Sequence, residues 1–304
     1  MIEILRTEKL TKLYKGLKAV NEASIVINEG DIYGFIGENG SGKTTFIRMI
    51  TSLIKTDSGS FVLFENDSLE KVNDYYVGAV VETPSLHLNM TAYDNLKTQA
   101  LIIGLKESLD LKIQEVLELV GLDEPELNKR AVKNYSLGMK QRLSIAVLLL
   151  SEPKFIVLDE PMNGLDPEGI VLVRKLIQKL NQEKKITFLI SSHILDELSK
   201  VATRYGFIHK GKIIKEITKD ELINSTKAYL EVKVNKIDEA LTVLKDLKLV
   251  DYEVEGDIIK IFQDISINQI VVSFSNHQID ILSIKEKDNT VESYYLSLLG
   301  GCHD

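Results

Sequence analysis

The run Gly37-Glu38-Asn39-Gly40-Ser41-Gly42-Lys43-Thr44 fits the pattern G-x-x-x-x-G-K-[ST], whose residue types suit one task, the holding of a polyphosphate. Glycines let successive backbone N–H groups turn inward around phosphate oxygens, and the start of a following helix adds partial positive charge. Lys43 would neutralise β- and γ-phosphates. The hydroxyl of Thr44, with Thr45 beside it, stands where Mg²⁺ takes an oxygen ligand. A second acidic site closes the apolar run Phe155-Ile156-Val157-Leu158-Asp159-Glu160. Asp159 would hold Mg²⁺ through water, and Glu160 would orient or deprotonate an attacking water. Two acids after a strand also read as the start of a loop; the phosphate loop upstream is what gives them chemistry.

Such residues need elements to carry them. Short β-rich runs alternate with helical patterns, which predicts a parallel sheet flanked by helices. Asp31 to Ile36 reads as a buried strand feeding the glycine-rich turn, followed by a helix from Lys43 to about Leu53. Phe155 to Leu158 is a second strand, followed by a helix that Asp166 caps and Pro167 starts. Ile186 to Ile190 is a third, with a helix after His193. In open α/β sheets ligands bind at the strand ends, which is where Asp159, Glu160 and His193 fall. Residues 83–154 change to a mostly helical texture, with a capping-box start at Thr91-Ala92-Tyr93-Asp94 and apolar spacing through Leu109, Ile113, Val116, Leu117 and Val120. This predicts an inserted helical subdomain. A hairpin is expected at His209-Lys210-Gly211-Lys212 and a capping-box helix from Thr218. From residue 226 the order strand (Tyr229 to Val234), helix (Ile237 to Leu247), hairpin (Tyr252 to Phe262), helix (Ile267 to Asn276), strand (Ile279 to Ile284), helix predicts a small α+β domain.

The segment Tyr135-Ser136-Leu137-Gly138-Met139-Lys140-Gln141-Arg142 precedes Asp159 and opens a helix, so Ser136 and the amides after it make a second phosphate-binding helix start; a plain helix cap is the other reading. Here the sequence resembles the ATP-binding subunits of ABC transporters, whose signature normally reads L-S-G-G-Q. Ser136 and Gly138 are kept, while Tyr135, Leu137 and Met139 depart from it. The resemblance implies an α/β P-loop NTPase cassette over residues 1–225, with sheet core and helical subdomain, and an accessory α+β domain over 226–304. It also implies ATP hydrolysis with Mg²⁺. In the family, Ser136 and Gly138 would face ATP held by another subunit, so catalysis needs a dimer, expected here as a homodimer. Tyr14 resembles the aromatic that stacks on adenine, though it also suits an ordinary strand. Gly164-Leu165-Asp166 resembles the loop joining the two sites, and His193, after Ser191-Ser192, resembles the switch histidine at the γ-phosphate.

The informative departure is Val80-Val81-Glu82-Thr83-Pro84, where most relatives carry Gln at the position of Glu82. Glu still accepts hydrogen bonds and ligates a cation, but it adds negative charge and has no amide donor. With the signature variant and the trailing domain, Glu82 makes the chain similar to bacitracin-resistance and lantibiotic-immunity exporters. The expected partners are polytopic permease subunits, and the expected place is the cytoplasmic face of the membrane, since no apolar run approaches the ~20 residues of a span. The alternatives are an importer or an exporter of another substrate, and a soluble ABC ATPase of translation or DNA repair. The last usually carries two cassettes, a coiled-coil insertion or a basic surface; this chain of 304 residues has one cassette and a net charge of −8, which argues against nucleic acid. His87, His209, His277 and His303 are scattered, and Cys302-His303 lacks the ligand count of a zinc site.

Overall fold

The apolar run before the phosphate loop forms β4 (Ile32–Ile36), buried at every residue, as a strand covered on both faces must be. The computed structural model describes residues 2–64, 77–82, 85–106, 108–263, 265–287 and 290–300. Strand β4 pairs in parallel with β8 (Thr187–Ser192) on one side and β9 (Arg204–His209) on the other. Beyond β8 come β7 (Phe155–Asp159) and β6 (Val77–Val80), also parallel. Strand β10 (Lys212–Thr218) closes the far edge by a hairpin on β9, so the six-stranded order is β10-β9-β4-β8-β7-β6. The hairpin residues Lys210 and Gly211 have φ of 46° and 79°, the paired left-handed geometry that a two-residue turn requires.

Helix α1 (Lys43–Ile50) follows β4 and is shorter than the pattern predicts, because Thr51 caps its end and Ser52 turns the chain at φ 57°. Helix α5 (Pro167–Lys184) follows β7, with Asp166 accepting from Gly169 N at 3.1 Å and Pro167 in the first turn. Helix α6 (Leu195–Ser199) follows β8. A second, antiparallel sheet, which the sequence analysis does not anticipate, is built around β1 (Glu3–Tyr14), paired with β2 (Leu17–Ala23), β3 (Val26–Asn28) and β5 (Ser58–Leu63). Its Leu5, Leu10, Val20 and Ile27 join Phe35, Phe155 and Val157 of the first sheet and Phe46 and Met49 of α1 in one core.

The helical segment contains α2 (Ala92–Ile102), α3 (Leu109–Leu119) and α4 (Leu137–Leu149). Thr91 caps α2 through Asp94 N at 3.1 Å, but the Asp94 carboxylate accepts from the Thr91 hydroxyl at 2.7 Å rather than reaching the Thr91 amide; Asp is one carbon shorter than the Glu a capping box uses. Residues 83 and 84 lie outside the described residues, as do Cys302 and His303.

The chain divides into two compact units, residues 1–219 and 220–304, with α7 (Lys219–Ser225) at the junction. The second unit runs β11 (Tyr229–Val234), α8 (Ile237–Asp246), β12 (Tyr252–Glu255), β13 (Ile258–Ile261), α9 (Ile267–Asn276), β14 (Ile281–Lys287) and α10 (Val291–Gly300). Its sheet order is β12-β13-β11-β14, every pair antiparallel, which is the split β-α-β-β-α-β topology. Leu230, Val232, Val234, Ile259 and Ile261 turn one sheet face toward Val243, Leu244, Ile270 and Phe274 of the two helices. Strand β14 starts two residues later than the pattern predicts, because Ile279 is tied back to Phe274 O at 3.0 Å and spent in that core.

Candidate nucleotide site

The phosphate loop spans the gap from β4 to α1, and its glycines are set by close approach. A Cβ at Gly37 would lie 2.5 Å from Ile208 O and Ser41 Oγ, and one at Gly42 would lie 2.4 Å from Ala19 O; Gly42 also has φ 109°, which suits no other residue. Gly42 is the N-cap of α1 and offers no side-chain cap, so the first-turn amides remain free to bind an anion. Glu38 O accepts from Ser41 N at 3.1 Å, which closes the turn over Asn39 and Gly40.

Lys43 is only 5% exposed; its ammonium donates to Gly37 O at 2.7 Å and Glu38 O at 3.1 Å and lies 3.2 Å from Glu160 Oε1. Thr44 Oγ1 donates to Asp159 Oδ2 at 2.8 Å. The other Asp159 oxygen accepts from Ser191 Oγ at 2.5 Å, and that same hydroxyl accepts from Glu160 N at 3.0 Å. His193 Nδ1 lies 2.8 Å from Glu160 Oε2, whose oxygen also takes the His193 amide at 3.3 Å. Three strand ends, those of β4, β7 and β8, thus bring Lys43, Thr44, Asp159, Glu160 and His193 into one cluster, the arrangement expected where ligands bind an open α/β sheet. Ser191 and its double role were not assigned from the sequence. The signal was its place beside His193 at the end of a buried strand.

The residues suit a magnesium nucleotide. Ser41 Oγ is buried without a hydrogen-bond partner, the kind of unspent polar atom that a phosphate oxygen would satisfy. The Lys43 ammonium points into the loop. Thr44 and Asp159 present the hard oxygen donors that Mg²⁺ takes.

Among the described residues, no hydrogen bond or ion pair joins Tyr14, Glu82, Ser136 or Gly138 to this cluster. Tyr14 ends β1 at the Lys15-Gly16 turn, exposed, with Lys12 Nζ 5.7 Å from its ring centroid. Glu82 is 60% exposed, and Arg48 Nη2 of α1 donates to it at 2.5 Å, a partner that sequence reading missed. Ser136 caps α4, its hydroxyl accepting from Met139 N at 3.2 Å; Gly138 is buried, where an added Cβ would lie 3.4 Å from Gly169 Cα. That close passage ties the signature helix start to α5 and the Gly164-Leu165-Asp166 turn. Tyr135 donates to Leu127 O at 2.9 Å, and burial pushes its phenol up; Arg142 holds the carbonyls of Val120 and Gly121 at 2.8 and 2.7 Å, and burial pulls its guanidinium down. These anchors fix the start of α4 to the rest of the helical segment. His209, given no chemistry by its sequence position, stands 3.9 Å from Glu38 of the phosphate loop.

The ABC transporter family model matches residues 20–163. The bacitracin transport ATP-binding protein BcrA of Bacillus licheniformis is 40% identical over 309 residues, covering 99% of this chain and 99% of its own. The lantibiotic transport ATP-binding protein SrtF of Streptococcus pyogenes is 41% identical over 213 residues, 70% of this chain and 90% of its own. Among solved structures, the ADP conformation of an ATP-binding cassette of an ABC transporter is 30% identical with a TM-score of 0.65, covering 74% of this chain and 95% of that one.

Proposed function

Since the chain belongs to the ABC transporter family, as its ATP-binding and ATP-hydrolysing subunit, we propose that it drives export of bacitracin-like or lantibiotic peptides and so protects the cell that makes or meets them. The observation that carries this reading is the 40% identity to a bacitracin transport subunit along essentially the whole of both chains, trailing domain included. Glu82 and the Ser136-Leu137-Gly138-Met139 signature support it.

In this reading the free first-turn amides of α1 and the Lys43 ammonium bind the β- and γ-phosphates of ATP. Thr44 and Asp159 hold Mg²⁺, which supplies positive charge against the phosphate oxygens. Phosphate competes with Glu160 for Lys43, which releases Glu160 Oε1 to accept a proton from the attacking water. His193 keeps Glu160 Oε2 in place, and Ser191 holds Asp159 and the Glu160 backbone in register. Tyr14 stacks on the adenine. A second copy of the chain contributes Ser136 and Gly138 across the nucleotide, so that ATP closes two cassettes and hydrolysis lets them part.

The motion must reach membrane subunits, because no helix among the described residues is long and apolar enough to cross a membrane. A groove of about 340 Å³ lined by Thr51, Leu53, Val81, Leu86, Gln99 and Val147 lies beside Glu82, between the end of α1, the edge strand β6 and the helices α2 and α4. It is placed to receive a cytoplasmic segment of a polytopic permease, holding the subunit to the cytoplasmic membrane face. Glu82, tied to α1 through Arg48, then couples groove to nucleotide.

The test compares growth inhibition by bacitracin and a lantibiotic panel in wild-type, deletion and Lys43→Ala strains of a Gram-positive host. Protection should vanish equally in the last two. Equal sensitivity in all three strains for every peptide, with the purified protein still hydrolysing ATP, removes the export reading and leaves a transporter ATPase of another substrate.

A further inference from the structure

The helices α8 and α9 cover one face of the second unit's sheet; the other face carries charge in an ordered pattern. Strand register places Glu253 of β12 opposite Lys260 of β13, Lys260 opposite Glu231 of β11, and Glu231 opposite Lys285 of β14. Each of these residues neighbours a core residue along its strand (Tyr252, Ile259, Ile261, Leu230, Val232, Ile284), so alternation puts all four on the uncovered face. The row reads minus, plus, minus, plus across four strands. One residue pair further along, Tyr229 lies opposite Lys287, Tyr229 and Phe262 rings meet at 5.5 Å, and Phe262 N donates to Asp251 O at 2.9 Å. That second row reads minus, aromatic, aromatic, plus.

Both rows are antisymmetric about a line running along the strands between β13 and β11. A two-fold axis parallel to that line, laid above the face, puts β12 over β14 of a second copy and β13 over its β11. Glu253 then meets Lys285, Lys260 meets Glu231, Asp251 meets Lys287 and Phe262 meets Tyr229, each contact occurring twice. In the remaining row Glu255 meets Ser283 and Lys233 meets Ile258, so no like charges face one another. Self-complementarity of this kind is what a two-fold interface demands of a single surface. Facing sheets lie roughly 10 Å apart, a gap that Lys and Glu side chains reaching from both sides can close. In-plane pairs, Lys260 with Glu255 at 2.7 Å and Lys233 with Asp257 at 3.0 Å, are compatible with this, because an ammonium has three donors and a carboxylate several acceptor positions.

The geometry points to the uncovered sheet face of residues 229–287 as a docking surface for the same face of a second copy of this chain. Single exposed ion pairs are weak and screened by salt, so the contact is reversible, holding two copies near one another when nucleotide does not. The reading goes beyond the proposed transport function and does not depend on it.

The test uses the full chain, without nucleotide, with Cys302→Ser to remove the one native thiol. Glu253→Cys and Lys285→Cys together should give a covalent dimer with a bis-maleimide cross-linker that reaches about 10 Å, the distance between facing sheets, at least tenfold more than Glu253→Cys alone, and high salt should suppress it. Within one sheet the two positions stand three strand spacings, about 14 Å, apart, and a link within one chain leaves the mass of a monomer, so it does not register as a dimer. Added to that pair, Glu231→Lys should abolish the cross-link, and so should Lys260→Glu. Mixing the Glu231→Lys chain with the Lys260→Glu chain should restore it, since each reversed charge then meets its opposite. No cross-link above the single-cysteine level, or equal cross-linking in the charge-reversed chains and their mixture, overturns the proposal. Because ATP is absent, failure here leaves the export reading untouched.

Discussion

Two glutamates stand just past the ends of neighbouring parallel strands, Glu160 after β7 and Glu82 after β6, and both hold left-handed backbone, with φ of 50° and 63°. Their surroundings are unlike. Glu160 is 20% exposed and touches the Lys43 ammonium and the His193 ring, and its backbone amide donates to two oxygens of Ser191, the hydroxyl and the carbonyl. Glu82 is 60% exposed and meets one flexible arginine. The same residue in the same backbone state is an enclosed carboxylate held by a lysine and a histidine in one place and a solvent-washed carboxylate held by one arginine in the other. What separates them is how many neighbours fix each carboxylate, and that sets how much a substitution should cost.

The largest effect is expected where the enclosure is tightest. Glu160→Gln keeps the shape and the hydrogen bond to His193 but cannot take a proton from water, so steady-state hydrolysis should fall by about 10²- to 10⁴-fold while ATP binding persists. A trapped ATP-bound dimer should accumulate, visible by gel filtration with Mg-ATP. Near-normal turnover would make Glu160 as peripheral as Glu82 and dissolve the contrast.

A smaller loss should follow from loosening that enclosure without removing the carboxylate. Ser191→Ala deprives Asp159 Oδ1 of its donor and leaves the Glu160 amide only the longer bond to Ser191 O, at 3.2 Å. Hydrolysis should drop about tenfold, equivalent to about 1.4 kcal/mol, with stability falling by about 1–3 kcal/mol because a buried carboxylate oxygen goes unpaired. Ser191→Thr should recover part of both, since it restores the hydroxyl. A Ser191→Ala enzyme with unchanged turnover and melting temperature would show that Asp159 and Glu160 hold themselves in place.

How much of this could be read from the chain depends on whether a role is local. Gly37 to Thr44 declares itself because free amides, a positive φ and an ammonium need particular residues at particular spacing. Ser191 does not, since its part arises only when β8 brings it beside Asp159, 32 positions earlier. Arg48 and Glu82 are 34 residues apart, and nothing in either segment names the other. The antiparallel sheet around β1 escaped for another reason: Lys9 and Glu22 take left-handed φ of 48° and 52°, and the pairing shifts register between Leu10 and Lys12, which spoils the alternation that marks a strand. In the second unit the element order was legible, but the sheet order β12-β13-β11-β14 was not, because the pattern of each strand is blind to which strand lies beside it.

On the exposed side of the comparison, Glu82→Gln should leave hydrolysis within about tenfold, since the amide oxygen still accepts from Arg48. Glu82→Ala removes the tether, and should lower peptide resistance more than it lowers ATPase activity. Resistance and ATPase falling in strict proportion would place Glu82 inside the chemistry, nearer to Glu160 than its exposure suggests.

The smallest effect isolates the backbone state that the two glutamates share. A non-glycine residue at φ 63° is strained by about 1 kcal/mol, and glycine is not. Because Glu82 is mostly exposed, its side chain has little packing to lose, so Glu82→Gly and Glu82→Ala remove the same tether and differ mainly in that strain. The glycine variant should therefore be the more stable, by about 0.5–1 kcal/mol, or about 1–4 °C in melting temperature for a unit of this size. If both variants lose resistance to the same degree while differing in stability, the carboxylate carries the coupling and the left-handed turn only aims it. Should Glu82→Gly alone lose coupling, the stiffness of the turn is what transmits motion from β6 to the helices, and the side chain is incidental.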